Sequence, residues 1–139
     1  MKNSCIQIIG YIGDSANIEI FKEIKEFENK KIILSLIDAI SYIGDKSGVE
    51  LIVKFLNNPD NEIKERIVVA LTRINDKSII PILIELLNDE NMWIRYFALR
   101  TLGELGDTTI KDRIIPLLSD NAGLIKIAAM NALEKIHYK

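Results

Sequence analysis

The chain has 139 residues, a length that suffices for one domain with a sizeable hydrophobic core. Hydrophobic residues make up 48% and charged residues 27%, which is ordinary for a globular domain. The formal net charge of −2 argues against nucleic acid as the main partner, because binding to phosphates requires clustered positive charge.

The N-terminal segment shows no signal-peptide pattern, and no apolar run in the sequence is long enough to span a membrane. The sequence has one cysteine, Cys5, so no internal disulfide is available. Its position in an apolar run predicts a buried thiol. We therefore expect a cytoplasmic protein with no membrane-embedded segment.

A repeat of 31 residues runs through the whole sequence. Its most visible mark is a short motif, found as Ile12-Gly13-Asp14, Ile43-Gly44-Asp45, Ile74-Asn75-Asp76 and Leu105-Gly106-Asp107. Four further columns keep the same step: Ile32, Ile63, Ile94, Ile125; Leu36, Ile67, Ala98, Ala129; Ala39, Ala70, Thr101, Ala132; and Ile9, Ile40, Leu71, Leu102, Leu133. Several columns in one phase indicate a repeat protein.

Apolar residues within each repeat recur with helical spacing, which predicts two helices, A and B, joined by a short turn. The predicted B helices span residues 2–12, 30–43, 61–74, 91–105 and 122–137. The predicted A helices span 16–27, 47–57, 78–88 and 109–119. The order is therefore a leading B helix followed by four A–B pairs. The sequence shows no linker, so we expect a single domain over residues 1–139.

The glycine column explains how each B helix ends. Glycine adopts positive φ without a steric penalty, and asparagine, which replaces it at Asn75, tolerates this conformation best among the other residues. The aspartate that follows is predicted to cap the next A helix. Pro81 falls in a first helical turn, where it is tolerated, whereas Pro116 lies deeper and predicts a kink.

Together these features resemble the HEAT-like repeat of the type first described in phycobilisome lyases. The best-matching unit runs from Asn75-Asp76 through Leu86-Leu87-Asn88-Asp89 to Ile94-Arg95. The resemblance implies an all-α, right-handed solenoid with about four 31-residue repeats and a leading half-repeat.

The resemblance also implies a ladder of hydrogen bonds between neighbouring repeats. In such repeats an aspartate in the A-to-B turn and an arginine six residues later form each step. Asp89 and Arg95 fit this pattern, Asp120 and Lys126 fit it with lysine, and Asn58 and Lys64 fit it loosely. Phe27 and Ile33 occupy the positions in the first repeat, so the ladder is expected to weaken toward the N-terminus.

The residues that common enzyme sites require are missing from the sequence. The one histidine, His137, is near the C-terminus, whereas metal sites and Ser-His-Asp triads need converging ligands or an internal base. The glycines follow the repeat and form no phosphate-binding loop. We therefore expect no metal, no cofactor and no catalytic residue.

The remaining candidate is a binding surface on the outward side of the B helices. The helical repeat places Trp93, Tyr96 and Arg100 on this side of the third repeat, and Leu124 and Ile127 on the same side of the fourth. Tryptophan, tyrosine and arginine dominate binding hot spots. These five residues form the predicted partner-binding patch. The alternatives are that they are isolated exposed residues, or that the Trp93 ring folds over a neighbouring helix.

The sequence therefore favours a non-catalytic protein–protein interaction scaffold that binds a partner peptide or helix on the concave, B-helix face. A lyase-like or chaperone-like accessory subunit for a cofactor-bearing protein is the alternative, and a nucleic-acid binder is the third. The predicted first helix, 2–12, is poor in charge for an end cap. Its composition indicates either end-to-end pairing of two copies or a place within a longer array.

Overall fold

The computed structural model describes residues 17–23 and 29–138, and all of their regular structure is helical. The chain divides into two compact units, residues 1–74 (the N-unit) and residues 75–139 (the C-unit). The predicted helix 2–12, with Cys5 and the first Gly-Asp motif, lies outside the described residues. A single domain over residues 1–139 stays a prediction.

Eight α-helices are described, and the long ones are the predicted B helices. The N-unit contains α1 Asn17–Lys22, α2 Lys30–Ile43, α3 Val49–Val53 and α4 Asn61–Ile74. The C-unit contains α5 Ile80–Leu86, α6 Met92–Leu105, α7 Lys111–Ile114 and α8 Gly123–Tyr138. The predicted B-helix bounds agree with α2, α4, α6 and α8 within one residue at either end. An all-α fold of solenoid-type helix pairs is thus confirmed.

The A helices are less regular than predicted, because short 3-10 turns flank their α-helical parts. One such turn, Ile115–Ser119, follows α7 and contains Pro116. The same change from α to 3-10 occurs after α3, at Lys54–Asn57, where there is no proline. The irregular second half of the A helix therefore does not depend on Pro116, and the predicted kink at that residue has no support from this feature.

The predicted helix caps are confirmed wherever the structure describes them. The backbone has positive φ at Gly44 (70°), Asn75 (47°) and Gly106 (66°). The carboxylates of the three aspartates that follow accept hydrogen bonds from backbone amides two residues later, over 2.8–2.9 Å, in the pairs Asp45–Ser47, Asp76–Ser78 and Asp107–Thr109. One B helix ends and the next A helix begins within four residues because each motif supplies both caps.

Within each unit the two B helices pack side by side, α2 against α4 and α6 against α8. The repeat column of small residues is buried in these helices: Ala39, Ala70, Thr101 and Ala132. The Thr101 hydroxyl is satisfied, since it donates to the Phe97 carbonyl at 2.8 Å. A Cβ atom on Gly103 would lie 3.0 Å from the Cα of Ala132. Helices α6 and α8 can approach closely there because that position has no side chain.

Arg95 forms the predicted ladder step in the C-unit. Its Nε and Nη2 atoms donate to the Asp120 carboxylate, each at 3.1 Å, and so join α6 to the turn before α8. The Asp89 side chain accepts from the Asn91 amide at 2.8 Å, as the Asp120 side chain does from the Ala122 amide at 2.9 Å. In the N-unit, Ile33 is buried and carries no charge. The contrast between Ile33 and Arg95 agrees with a ladder that weakens toward the N-terminus.

Candidate partner-binding face

The turn before α6 is held by a dense set of hydrogen bonds. Arg95 Nη1 donates to the backbone carbonyls of Asp89 at 2.8 Å and Glu90 at 3.0 Å. The Asn91 side chain caps α6 by accepting from the Trp93 amide at 2.9 Å. Because Trp93 is the second residue of α6, these contacts fix the backbone that carries its side chain.

The Arg95–Asp120 ion pair anchors this turn to the next repeat. The two side chains are only 15% and 14% exposed. Desolvation pushes the pKa of Asp120 upward, but the Ala122 amide, the Arg95 guanidinium and the Lys126 charge together outweigh it, so the pKa is lowered from 3.8. Asp120 is therefore ionised at neutral pH, and the paired charges make a strong two-bond contact.

Three aromatic rings follow one another on α6. The Trp93 and Tyr96 rings meet edge to face with centroids 6.0 Å apart, and the Tyr96 and Phe97 rings do so at 5.4 Å. Trp93 nevertheless remains 48% exposed. Its described aromatic contact is with a residue of its own helix.

A groove of about 260 Å³ runs between α6 and α8. Tyr96 and Arg100 line it from α6. From α8 it is lined by Ala128, Asn131, Ala132, Glu134 and Lys135. Lys135 also forms an ion pair with Glu104 of α6, which ties the two helices together beside the groove. The groove thus has a floor of small residues and a rim that carries both signs of charge.

The structure brings some of the five predicted patch residues together and leaves others apart. Tyr96 and Arg100 lie on the groove wall. Trp93, Leu124 and Ile127 are exposed on the same two helices but do not line the groove. Sequence reasoning missed the floor residues Ala128 and Ala132. The small-residue column that contains Ala132 was the available signal.

The described segments, residues 17–23 and 29–138, contain no candidate metal centre, because no three or more of their His, Cys, Asp or Glu side chains could hold a metal ion together. No helix in the described part of the chain has the length and apolarity needed to cross a membrane. His137 is an exposed residue of α8.

Comparison with known families identifies the repeat. The profile for HEAT repeats matches residues 19–91 and again residues 80–139, which is most of the chain. The chain therefore belongs to the HEAT-repeat family. HEAT repeats generally act as scaffolds for protein interaction. The narrower resemblance to the phycobilisome-lyase type stays a prediction.

A solved structure supports the same fold. The chain is similar to an engineered protein whose crystal structure was determined by the Northeast Structural Genomics Consortium, with a TM-score of 0.69 and 21% sequence identity. The alignment covers 96% of this chain and 67% of the engineered one. At this identity the similarity concerns the fold alone. No curated protein gave a significant match.

Proposed function

We propose that this protein is a non-catalytic interaction scaffold that binds a helix or peptide of a partner protein at the predicted patch on α6 and α8. The observation that carries the proposal is the exposure of Trp93 on a backbone held by Asn91 and Arg95. A large aromatic side chain on a rigid helix loses little conformational entropy on binding, which is typical of interface anchors.

The surroundings of Trp93 support a polypeptide ligand. Leu124 and Ile127 offer further exposed apolar surface on α8, while Arg100 and Glu134 provide opposite charges at the groove. An amphipathic helix pairs an apolar stripe with flanking charges, so it matches this combination better than a small polar molecule does. The family's general role in protein interaction agrees with this proposal.

A displayed library of amphipathic peptides, selected on the immobilised full chain, would test the proposal even while the natural partner is unidentified. Peptides enriched on the wild type should lose at least about tenfold in affinity on a W93A/Y96A variant, as expected when two aromatic anchors are removed. Tyr42→Ala is the matched control, because Tyr42 is an exposed aromatic residue on a B helix of the N-unit.

The proposal fails if peptides bind both variants as well as the wild type while circular dichroism shows the helices intact. It also fails if the selection enriches no peptide. Equal losses on Tyr42→Ala and on W93A/Y96A would place the binding surface elsewhere on the chain.

A further inference from the structure

The last described helix pair exposes apolar side chains at positions that are buried one repeat earlier. Met130 in α8 is 60% exposed, whereas Leu99, 31 positions before it in α6, is fully buried. Leu118 is 38% exposed, against 4% for Leu87, its equivalent. Exposed apolar residues at equivalents of core positions indicate a surface suited to being covered.

The N-unit provides an independent check on this comparison. Ile37 occupies the same repeat column as Leu99 and Met130, and it too is fully buried, in helix α2 that packs against α4. Val68, the member of this column in α4, is also fully buried, so Met130 is the one exposed residue of the four in this column. Met130 is apolar like the other residues of this column, but no described part of the chain buries its side chain.

The uncovered face of α8 has the pattern of a helix that contacts another helix. It carries Lys126, Ile127, Met130, Leu133, Glu134 and His137. These residues fall within an arc of about 120°, and their spacing of three and four residues is that of helix–helix seams. The buried face of α8, with Ile125 and Ile136, lies on the opposite side.

The charges on this face are arranged symmetrically about its centre. Lys126 lies four residues before Met130 and Glu134 four residues after it, and both are exposed. Ile127 and Leu133 lie three residues on either side of Met130. A face with this symmetry is complementary to an antiparallel copy of itself, since the lysine of each copy meets the glutamate of the other.

We propose that this face of α8, the end face, binds the end face of a second copy of the chain, antiparallel and about a two-fold axis at Met130. In this register Met130 contacts Met130, Ile127 faces Leu133 of the second copy, and Lys126 pairs with Glu134 twice. A two-fold contact uses the same patch on both copies and closes at the dimer. The proposal goes beyond the binding of a partner peptide, and its face of α8 shares Ile127 and Glu134 with the proposed peptide-binding surface, so the two contacts would compete.

The proposed contact is small, so a reversible dimer is expected. A contact made by one helix face from each copy lies at the low end of specific interfaces in buried area. We therefore expect a dissociation constant on the order of 10 µM. Sedimentation velocity of the full chain over a range of concentrations should therefore show a monomer that converts to a dimer and to nothing larger.

Met130→Glu should raise the dimer dissociation constant at least about tenfold, because it places two like charges at the axis. Ile20→Glu is the control. Ile20 is an exposed apolar residue of α1 in the N-unit, and it takes no part in the proposed contact. A head-to-tail stack that used the N-unit would be weakened by Ile20→Glu and would grow beyond the dimer, and either result would overturn the two-fold arrangement.

A charge exchange tests the register directly. Glu134→Lys should weaken the dimer about tenfold, because both ion pairs become repulsive. Adding Lys126→Glu to that variant should restore dimerisation, since both pairs re-form with the charges exchanged. Lys126→Glu is best studied in this combination, because Lys126 also acts electrostatically on Asp120 of its own chain.

A cysteine at the axis gives a second readout that does not depend on affinity. In a Cys5→Ser background, Met130→Cys should form an intermolecular disulfide under mild oxidation, whereas Ile20→Cys should not. A chain that stays monomeric up to about 1 mM would overturn the proposal and leave the face to a further helix pair. A dimer that is neither restored by the charge exchange nor linked through position 130 would overturn it as well.

Discussion

The N-unit and the C-unit use the same helix pairs but join them differently. In the N-unit, α2 and α4 are joined by Arg66 and Asp38, whose side chains are 39% and 51% exposed. In the C-unit, the Arg95–Asp120 pair is mostly buried, and Arg95 also donates to two backbone carbonyls. An exposed ion pair contributes little to stability, whereas a desolvated two-bond pair with further hydrogen bonds contributes more. The stronger link thus lies beside the proposed binding patch.

The units also differ in how the A helix meets the B helix before it. In the N-unit, Gly48 follows α2, and a Cβ atom there would lie 2.6 Å from Cγ2 of the fully buried Ile40. In the C-unit the same repeat position holds isoleucine, as Ile79 and Ile110, and both are buried. In the N-unit this part of the core is thus filled by Ile40 of the B helix, whereas in the C-unit the residue at the start of the A helix also contributes a buried side chain. Substitutions in each unit can test this difference and the difference in ion pairs.

The largest effect is expected for Ile110→Ala. The substitution removes a buried side chain from the C-unit core and should lower the free energy of unfolding by about 3 kcal/mol. Chemical denaturation monitored by circular dichroism measures the loss. Ile20→Ala, at an exposed isoleucine of the N-unit, should cost less than about 0.5 kcal/mol. Equal losses would contradict the assignment of Ile110 to the core.

The opposite change in the N-unit should also be destabilising. Gly48→Ala adds one methyl group against Ile40 and should lower the free energy of unfolding by about 2 kcal/mol through overpacking. Its backbone angles, φ −82° and ψ −12°, suit any residue, so the cost is steric. Combining it with Ile40→Ala should therefore cost less than the sum of the single changes. Additive losses would show that Gly48 and Ile40 do not compete for space.

The two ion pairs are expected to differ in strength. Arg95→Ala should lower the free energy of unfolding by about 1.5 kcal/mol, because it removes a two-bond contact to Asp120 and two hydrogen bonds to carbonyls. Arg66→Ala should cost less than about 0.5 kcal/mol. Arg95→Lys should fall between Arg95→Ala and the wild type, since lysine has no planar fork. If the two alanine variants lose the same stability, the contrast between the units is wrong.

The smallest effect concerns pH. The folded-state pKa of Asp120 is lowered from 3.8, so its contribution to stability is fully present above the unfolded value and is lost as the pH falls through the folded value. The stability difference between wild type and Arg95→Ala should be constant above about pH 5 and shrink below about pH 4. A stability difference that stays constant down to about pH 2.5 would show that Arg95 does not lower the pKa of Asp120.

Much of the fold could be predicted because the repeat places chemically distinctive residues in fixed columns. Positive φ at Gly44, Asn75 and Gly106 follows from residue type, and the aspartate caps follow from their position after it. The sequence could not show which aspartate accepts from Arg95, because Asp89 and Asp120 occupy equivalent turns in successive repeats. The structure distinguishes them: Arg95 donates to the carboxylate of Asp120 and to the backbone carbonyl of Asp89.

The groove was harder to predict than the exposed patch. The exposure of Trp93 and of Ile127 follows from the angular position of each residue on its own helix. The groove instead depends on the distance between two helices, which Gly103 and Ala132 set by their lack of bulk. A helical projection treats each helix alone and so contains no such distance. The exposure of Met130 could not be predicted from a single helix either, because it differs from the buried Leu99 only in what packs around it.

The central claim, that the C-unit binds a partner through the patch around Trp93, has a direct optical test. Trp93 is the one tryptophan in the sequence, so the intrinsic tryptophan emission of the full chain reports on this position alone. Titration with a tryptophan-free peptide from the selection should shift the emission to shorter wavelength as the exposed ring is buried, and the shift should saturate with the binding curve. Saturable binding, measured independently, that leaves the Trp93 emission unchanged would contradict the account.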